Sequence, residues 1–403
     1  MKNRALYALS TAVALALAAG SAAADDIKIG ALMSMTGDLQ AYGETSLNGI
    51  KLAVKEINAA GGAAGSMLAV AVGDDQTNPQ VGVDAAKKLV ELEKVAALIG
   101  ALPSGVTIPV AKSVSAAAGV VQISNASTSP AITDLDDGDV LFRTIPSDAF
   151  QGVALAEVVN GKGVKNVAVL YINNDYGEGL AKAFAGAFEA KGGKVSANLA
   201  FEPGNASYRG ELQQAAEGKA EALVLIAYPE NGNIILKQSL EEGFFKAFIF
   251  TDGMKAPEVI AAIGADNLNG SYGTAPEALA DSETAKRFKD AYQKEFGELP
   301  PKPFIDSAYD ATFLIGLAIE KAGGTDRKKI HAALREVANA PGEKVLPGEF
   351  AKAKELIKAG KDIDYVGAAG EQDFDAKGDV GGTFAHWAIE GGEIKTLSVF
   401  APK

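Results

Sequence analysis

The feature that most constrains the fold is a regular alternation of short apolar runs with longer segments of helical spacing. The first run, DIKIGALM at 26–33, precedes ETSLNGIKLAVKEINAAGG. Apolar side chains recur every three or four residues in that second segment, at Leu47, Ile50, Val54 and Ile57. This spacing puts them on one face of a helix, and paired glycines such as Gly61-Gly62 commonly end one. The chain is therefore predicted to begin with a strand followed by a helix.

Eight further apolar runs follow, separated mostly by helical patterns or glycine-rich turns. They are MLAVAVGDD, VAALIG, GVVQIS, VLFRTI, NVAVLYI, KVSANLAF, EALVLIAY and KAFIFTDG. Nearly continuous apolar runs of this length are typical of strands buried on both faces. Alternating strands and helices give parallel sheets with right-handed crossovers and helices on both sides, so we predict an α/β fold.

One sheet would have to be unusually wide to hold all these strands, so we predict two lobes. The segment RTIPSD, at 143–148, is the best first boundary, since Pro146 restricts the backbone and Ser147 can cap a following helix. A second crossing is expected at YGTAP, 272–276, where strand–helix units give way to long helices. The chain would thus leave the first lobe and return to it.

The last third of the chain departs from the alternating pattern. FIDSAYDATFLIGLAIEKAGG is apolar but interrupted by acids, which predicts a buried helix rather than a membrane span. From 339 to 370 the sequence is polar and rich in glycine and lysine, and we expect helix and loop there. The terminal TFAHWAIEGGEIKTLSVF alternates around Gly391-Gly392 and predicts a β-hairpin.

The N-terminus predicts export. Lys2 and Arg4 precede an apolar run that ends in small residues at Ala22 and Ala24, the pattern of a signal peptide over 1–24 that is cleaved after Ala24. An uncut anchor is the alternative. With 0 cysteines there is no disulfide and no thiol to carry a lipid anchor, so we expect a protein that diffuses freely in the periplasm without inserting into the membrane.

The charge excludes two classes of partner. The formal net charge is −13, and loss of Lys2 and Arg4 with the leader lowers it to −15. Nucleic acids and anionic membrane surfaces repel such a chain.

Motifs for catalysis or cofactor binding are scarce. His331 and His386 are the only histidines and lie in no metal-binding pattern, and no phosphate-binding loop or nucleophile motif occurs. NVAVLYINNDYGEGLAKAF imitates a dinucleotide fingerprint, but Lys182 replaces its third glycine. The acidic pairs at 74–75 and 136–137 are interpreted as turns and caps. We therefore predict no enzyme, no cofactor and no metal.

Hydroxyl groups gather instead at the carboxyl ends of two predicted strands, where open α/β sheets bind ligands. Ser104 begins a predicted helix, where its hydroxyl and the free N–H groups could bind a carboxylate or form an ordinary cap. The next strand leads to SNASTSPAIT, 124–133, which either faces Ser104 across a ligand or is turn chemistry alone. The residues by themselves leave both alternatives open.

The chain resembles the periplasmic substrate-binding proteins of branched-chain amino-acid ABC transporters, the leucine/isoleucine/valine-binding protein family. The resemblance covers essentially the whole mature chain. It rests on the leader followed, in this order, by IKIGALMSMTGDLQAYGETSLNGIKLAVKEINAAGG, IGALPSGVTIPVA, ISNASTSPAIT, YINNDYGEGLAKAF, IFTDGM and FIDSAYDAT.

The resemblance implies a type I fold in which two lobes, joined by three crossovers, close over one amino acid. Lobe one would comprise 25–145 plus 276–372, and lobe two 146–275 plus 373–403. Ser104 and Thr128 would hold the ligand carboxylate beside the Ala126 backbone, and Asp252 would pair with the ammonium group. The aromatic walls would be Tyr42, Tyr176 and Tyr228, with Tyr309 as a further candidate, although each tyrosine could equally be ordinary packing.

Two departures from the family pattern stand out. Thr77 and Pro103 occupy the places of a cysteine pair that often bridges two loops. Asp252 stands where a glutamate is common and is one methylene shorter, which either enlarges the pocket or leaves room for a water.

The function that follows is the capture of a small amino acid between closing lobes and its delivery to a membrane permease by a monomeric protein. Three alternatives stay open. The same fold could be a ligand sensor, or it could bind an aromatic or aliphatic carboxylic acid or a short amide. A small-molecule enzyme is the third, and the lack of a histidine or cysteine constellation argues against it.

Overall fold

A computed structural model describes residues 25–403 of the chain, so the predicted signal peptide lies outside the described residues. The first part of the described chain forms a parallel five-stranded sheet in the order β2-β1-β3-β4-β5. Its strands are β1 (Ile27–Met33), β2 (Leu68–Asp74), β3 (Leu98–Gly100), β4 (Gln122–Ser124) and β5 (Leu141–Arg143). The accompanying helices are α1 (Gly43–Ala59), α2 (Pro79–Lys87), α3 (Ser104–Val110) and α4 (Ala116–Ala118).

The chain then builds a second sheet of seven strands, in the order β15-β14-β10-β9-β8-β6-β7. The strands of this middle part are β6 (Asn166–Ile172), β7 (Lys194–Phe201), β8 (Ala222–Ile226), β9 (Phe248–Phe250) and β10 (Tyr272–Pro276). The helices are α5 (Asp148–Gly161), α6 (Asp175–Ala190), α7 (Arg209–Ala216), α8 (Pro229–Glu242), α9 (Pro257–Ile263) and α10 (Ala265–Leu268). All nine apolar runs identified in the sequence thus form strands.

After β10 the chain returns to the first sheet. This part contains α11 (Glu283–Phe296), α12 (Ile305–Ala322), α13 (Arg327–Ala338), β11 (Glu343–Val345), α14 (Phe350–Lys358), β12 (Ile363–Gly367) and β13 (Gly370–Glu371). The three short strands form a sheet of their own, β11-β12-β13, so the expectation of only helix and loop over 339–370 is wrong. The strands β11 and β13 have only three and two residues, and the five residues of β12, IDYVG, do not alternate between apolar and polar side chains.

The helix α12 is the centre of the returning part, and it packs against α1 and α13. Nearly every residue from Ile305 to Ile319 is buried, as the sequence predicts. Its buried Asp310 accepts hydrogen bonds from the Tyr365 hydroxyl (2.7 Å) and from the backbone N–H groups of Ala368 (2.7 Å) and Ala369 (2.8 Å). The acid interruption therefore anchors the loop after β12. None of the helices in residues 25–403 is long and apolar enough to cross a membrane.

The predicted C-terminal hairpin is present as β14 (Phe384–Glu390) and β15 (Glu393–Phe400), and β14 pairs antiparallel with β10. The chain therefore passes between the two large sheets three times: after β5, after β10 and before β14. Two of these passages are joined directly, because the Glu277 N–H donates to the Thr383 carbonyl (3.1 Å) and the Thr383 hydroxyl donates to the Glu277 carbonyl (2.6 Å).

Candidate functional site

A small cavity with a free volume of about 10 Å³ lies between the two lobes. The side of the five-stranded sheet contributes Leu39, Leu102, Pro103, Ser104, Ala126 and Phe304; the side of the seven-stranded sheet contributes Tyr176, Tyr228, Asp252 and Gly253. Both sides supply walls, so a ligand in this cavity would contact both lobes. This free volume is room for about one water molecule, so a larger ligand would hold the walls further apart.

The two lobes touch each other around this cavity. The Tyr42 hydroxyl donates to the Gly253 carbonyl (2.9 Å), and the Ser129 hydroxyl donates to the Asp175 carbonyl (2.8 Å). Gly179 lies so close to Pro130 that a Cβ atom there would be 2.7 Å from its Cδ. The described arrangement is therefore a closed one, and a glycine in α6 permits the approach.

Ser104 begins α3 at the rim of the cavity and is buried. Its hydroxyl oxygen accepts a hydrogen bond from the Ser129 N–H (3.2 Å), while the helix itself is preceded by Pro103 and has no side-chain cap. The sequence left open that Ser104 forms an ordinary N-terminal helix cap, and this cap is not formed. Because the oxygen accepts from Ser129, the hydroxyl proton remains available to an acceptor in the cavity.

The hydroxyl-rich loop SNASTSPAIT divides into two groups of residues. Ser124 donates to the Ala101 carbonyl (2.7 Å), Ser127 donates to the Leu102 carbonyl (3.0 Å), and the Ser129 oxygen accepts from the Ala131 N–H (3.3 Å). These serines stabilise the loop. Hydrogen bonds within the turn therefore account for these three serines, which is one of the two alternatives that the sequence left open.

Ala126 and Thr128, the two residues of this loop that were expected to contact the ligand, occupy different positions. Ala126 lines the cavity. Thr128 is fully buried behind it, and its hydroxyl donates to Asp148 Oδ2 (2.8 Å). A hydroxyl proton that is bound to a carboxylate is not free for a ligand carboxylate, so the structure places Thr128 at the acidic side of the site.

Asp252 begins a short helical turn, Asp252–Met254, immediately after β9. The carboxylate is buried, and its Oδ1 accepts hydrogen bonds from the Tyr176 hydroxyl (2.8 Å) and from Gln151 Nε2 (2.8 Å). Burial raises the pKa of Asp252 to about 6 against the lowering effect of these two donors. The group is therefore a desolvated acid held in a fixed orientation at the cavity wall.

A second acid, Asp148, lies buried behind the cavity lining, and the sequence interpretation did not identify it. It is the first residue of α5 and fully buried; Oδ2 accepts from Thr128, and Oδ1 has no hydrogen-bond partner within residues 25–403. Burial and the neighbouring charge of Asp252 raise its pKa well above the ordinary range. RTIPSD was interpreted only as a lobe boundary with a helix cap. The signal in the sequence was Asp148 itself, an acid directly after the cap Ser147 and next to the predicted cleft.

Two of the predicted tyrosines form one wall. The rings of Tyr176 and Tyr228 stack with centroids 5.5 Å apart and an interplanar angle of 14°. Burial raises the pKa of both phenols, so they stay protonated and can donate. Tyr42 lies just outside the lining, where its ring packs edge-on against Phe304 (5.3 Å) and its hydroxyl bridges the lobes.

The fourth tyrosine, Tyr309, lies elsewhere, and its expected place in the aromatic wall is wrong. It is buried among Phe288 and Phe313, its hydroxyl donates to Glu56, and that oxygen accepts from the Gly348 N–H (2.9 Å). Tyr309 lies more than one turn into α12 and points into the lobe's interior. Phe304, which precedes the helix, lines the cavity instead.

Phe304 has a positive φ of 78°, a conformation that bulky residues rarely adopt. Its carbonyl accepts hydrogen bonds from Asn125 Nδ2 (3.0 Å) and the Ser46 hydroxyl (3.4 Å). Asn125 of the SNASTSPAIT loop and Ser46 of α1 thus hold the Phe304 backbone in this conformation. Nothing in the local sequence indicates the conformation, because both partners are distant in the chain.

Thr77, which stands at the place of one cysteine of the family's pair, forms a hydrogen bond with Leu39 and none with Pro103. The Thr77 oxygen accepts from the Leu39 N–H (3.0 Å), and Thr77 N–H donates to the buried Asp75 (2.8 Å), which also accepts from the Ser34 hydroxyl (2.7 Å). Asp75 therefore fixes a turn, as the sequence indicated. Leu39, a wall of the cavity, is positioned by this turn.

The remaining motifs lead to no second chemistry. His331 contacts Asp139 at the surface (3.2 Å), and His386 lies in β14 beside Tyr272. A Cβ atom at Gly177 would be 2.0 Å from the Ile172 carbonyl, so this glycine serves close helix–strand packing. Within residues 25–403 no three histidine, cysteine or acidic side chains are grouped as metal ligands.

A family model described as a periplasmic binding protein matches residues 26–356. The chain belongs to the periplasmic binding protein family. The leucine-, isoleucine-, valine-, threonine- and alanine-binding protein of Pseudomonas aeruginosa is 31% identical over 332 residues, which cover 82% of this chain and 88% of that protein.

Two solved structures of family members have the same architecture. The leucine-binding protein LivK of Thermotoga maritima superposes with a TM-score of 0.79 at 26% identity, covering 93% of this chain and 99% of that one. The branched-chain amino-acid transporter substrate-binding protein LivJ of Streptococcus pneumoniae, in complex with isoleucine, gives 0.78 at 26% identity, covering 94% and 100%. The predicted two-lobed type I fold is thereby confirmed.

Proposed function

We propose that this chain is the extracytoplasmic solute-binding component of an ABC importer and that it captures a small aliphatic amino acid between its lobes. The observation that carries the proposal is the polarity of the cavity. Asp252 and the Ser104 hydroxyl line the cavity from opposite lobes, and a second buried acid, Asp148, lies behind the lining and accepts from Thr128. An amino-acid zwitterion has the matching polarity.

The carboxylate of the ligand would bind at the Ser104 end. The hydroxyl of Ser104 retains its proton for donation, the first turn of α3 points N–H groups at the same place, and the Ala126 backbone lies beside it. Charge-assisted bonds of this kind are about twice as strong as neutral ones.

The ammonium group would bind at the acidic end. Asp252, which lines the cavity, would be the direct partner, as predicted, and Asp148 would add a second negative charge from behind the lining once it is ionised. Thr128 takes a different part from the one the resemblance implies, because its hydroxyl orients Asp148 rather than the ligand carboxylate. Tyr176 and Tyr228 would form a wall, and Tyr42 would complete closure.

The side chain of the ligand would meet apolar walls, namely Leu39, Leu102, Pro103 and Phe304. Such walls suit the aliphatic amino acids for which the relatives are named. An aromatic or aliphatic acid without an amino group, or a short amide, would leave the buried charge of Asp252 without a cation, at a high cost in free energy. We therefore place those ligands, and a purely sensory role, second.

The cellular setting is part of the same proposal. We infer a permease partner, a monomeric protein, no enzymatic activity, and export by a leader over 1–24 cleaved after Ala24. Family membership and the leader sequence support these inferences. The lobe boundaries stay a prediction at 25–145 plus 276–372 and 146–275 plus 373–403.

A thermal-shift screen tests the proposal. Mature protein is heated with L-leucine, L-valine, L-alanine, isobutyramide, isovalerate or benzoate, and the midpoint of unfolding is measured. We expect the amino acids alone to raise it, since only they supply both charges. Stabilisation by benzoate or isovalerate, with none by any amino acid, would overturn the assignment.

A further inference from the structure

The two buried acids, Asp148 and Asp252, are linked through Gln151, which lies one helical turn after Asp148. Gln151 lies three residues after Asp148 on the same face of α5, and its Nε2 donates to Asp252 Oδ1 at 2.8 Å. The same nitrogen also approaches the Thr274 carbonyl (3.3 Å). Asp148 and Asp252 are therefore neighbours that respond to each other's charge.

No cation neutralises this pair in the described part of the chain. Arg143 is the guanidinium that acts on Asp148, but it forms a two-pronged ion pair with Asp379 (2.6 and 2.7 Å) and donates to the Ser129 carbonyl (2.9 Å). The other titratable groups that face the pair are phenols, which stay neutral: Tyr42, Tyr176 and Tyr228. Two ionised carboxylates would leave two net charges buried together.

Like charges in a shared, desolvated site do not both ionise, so such a pair keeps one proton. Hydrogen bonding indicates where that proton resides. Asp252 Oδ1 accepts two donors, from Tyr176 and Gln151, whereas only Thr128 donates to Asp148. More donors stabilise the charged form, so the charge resides mainly on Asp252 and the proton on Asp148.

We propose that binding of an amino acid at this site expels one proton from the Asp148–Asp252 pair. The inference rests on the function proposed above. The ammonium group of the ligand binds Asp252, which lines the cavity, and its positive charge offsets a second negative charge, so that protonated Asp148 loses its proton to solvent. Charge balances, because a cation replaces the proton. Loading would therefore favour neutral over acidic surroundings, and affinity would rise with pH.

Calorimetry measures this proton directly. L-leucine, L-valine and L-alanine are titrated into mature protein at pH 6.5 in phosphate, Bis-Tris and imidazole, whose ionisation enthalpies differ. We expect the observed enthalpy to change linearly with buffer enthalpy, with a slope that reports release of up to about one proton per ligand. Between about pH 6.5 and 7.5, above the pKa of Asp252, the affinity is expected to rise by at most about tenfold per pH unit.

Two variants and one control locate the proton. Asp148→Asn keeps the shape and the Thr128 contact, and we expect it to abolish both the buffer dependence and the pH dependence. Thr128→Val removes the donor to Asp148, so release should shift to higher pH. Asp134→Asn removes an exposed acid, 88% accessible, and should behave as the unaltered chain does.

The outcomes separate the two proposals. Binding of an amino acid with no buffer dependence, or with the same dependence in Asp148→Asn, would overturn the proton coupling and leave the proposed function intact. If no amino acid binds at any pH, both proposals fail. Proton release that disappears only in Asp148→Asn and moves in Thr128→Val supports the coupling.

Discussion

The two lobes contribute chemically opposite groups to one cavity. The five-stranded lobe offers neutral donors and apolar walls, such as Ser104 and Phe304, whereas the seven-stranded lobe offers buried acids, Asp148 and Asp252, beside two stacked tyrosines. Neither end binds both poles of a zwitterion. A ligand that requires both lobes stabilises only the closed form, so recognition and closure are one event.

The largest expected effect comes from the acidic end. Replacement of a buried charged partner costs about 2–5 kcal/mol, so Asp252→Ala should weaken amino-acid binding by about 100-fold or more. The ligand-free protein should become more stable, because a desolvated carboxylate is removed. Calorimetry and thermal melts check both. Unchanged affinity would contradict the assignment, and an exposed control, Asp134→Asn, should change neither quantity.

The acidic end should also show in stability against pH. The folded pKa of Asp252 is about 6, above its ordinary value of 3.8, so the native state binds more protons between these values. Its free energy of unfolding must then fall as pH rises from about 4 to about 7, by roughly 3 kcal/mol for this group. Urea unfolding of the ligand-free protein and of Asp252→Asn should therefore diverge with pH.

Among the other buried acids, Asp148 is expected to titrate differently in Asp252→Asn, since the charge of Asp252 raises its pKa, whereas two further acids are not. Burial likewise raises the pKa of Asp310 to about 7 and that of Asp75 to about 6. Both titrate equally in the two proteins, so their effects cancel in the difference. A difference in unfolding free energy that stays constant from pH 4 to 7 would contradict the raised pKa of Asp252.

Closure itself is tested at the contact between lobes. Gly179→Val should clash with Pro130, since even a Cβ atom would lie 2.7 Å from its Cδ. We expect affinity to fall roughly tenfold, as overpacking costs about 1–3 kcal/mol, and small-angle scattering with ligand to show a larger radius of gyration. Gly186→Ala, on the same helix with nothing within 4 Å, is the matched control.

The neutral end should contribute less. Ser104→Ala removes one charge-assisted hydrogen bond of about 1.5–3 kcal/mol, so affinity should fall about tenfold or more with little change in stability. Ser124→Ala is the matched comparison, because its hydroxyl bonds to the Ala101 carbonyl within the loop. It should lower stability and spare affinity. If Ser124→Ala lowered the affinity and Ser104→Ala did not, Ser104 would not be the carboxylate site.

The smallest effect on binding is expected at Tyr309. Tyr309→Phe leaves Glu56 and the Gly348 N–H without this partner, so the free energy of unfolding should drop by about 1–3 kcal/mol. Affinity measured by calorimetry should stay unchanged. A marked loss of affinity would return Tyr309 to the site.

Sequence reasoning was strongest where the signal is local. The nine apolar runs, the buried α12 and the terminal hairpin follow from periodicity and turn residues, and Ser104 and Asp252 follow from their places after strands. It failed at the strands β11–β13, whose few residues carry no period. Tyr309 was predicted for the aromatic wall, whereas Phe304 lines the cavity, because helix phase and a positive φ decide which ring faces the cavity.

By itself, the sequence determined the alternating α/β elements, the export signal as a prediction, and the edge where ligand residues gather, since these depend on neighbours along the chain. The tertiary structure alone decided that Thr128 meets Asp148 across 20 residues and that Gln151 meets Asp252 across 101. Such pairings depend on how lobes and crossovers pack. The acidic end of the site is therefore a product of packing, because desolvation and proximity of charges exist only in the folded chain.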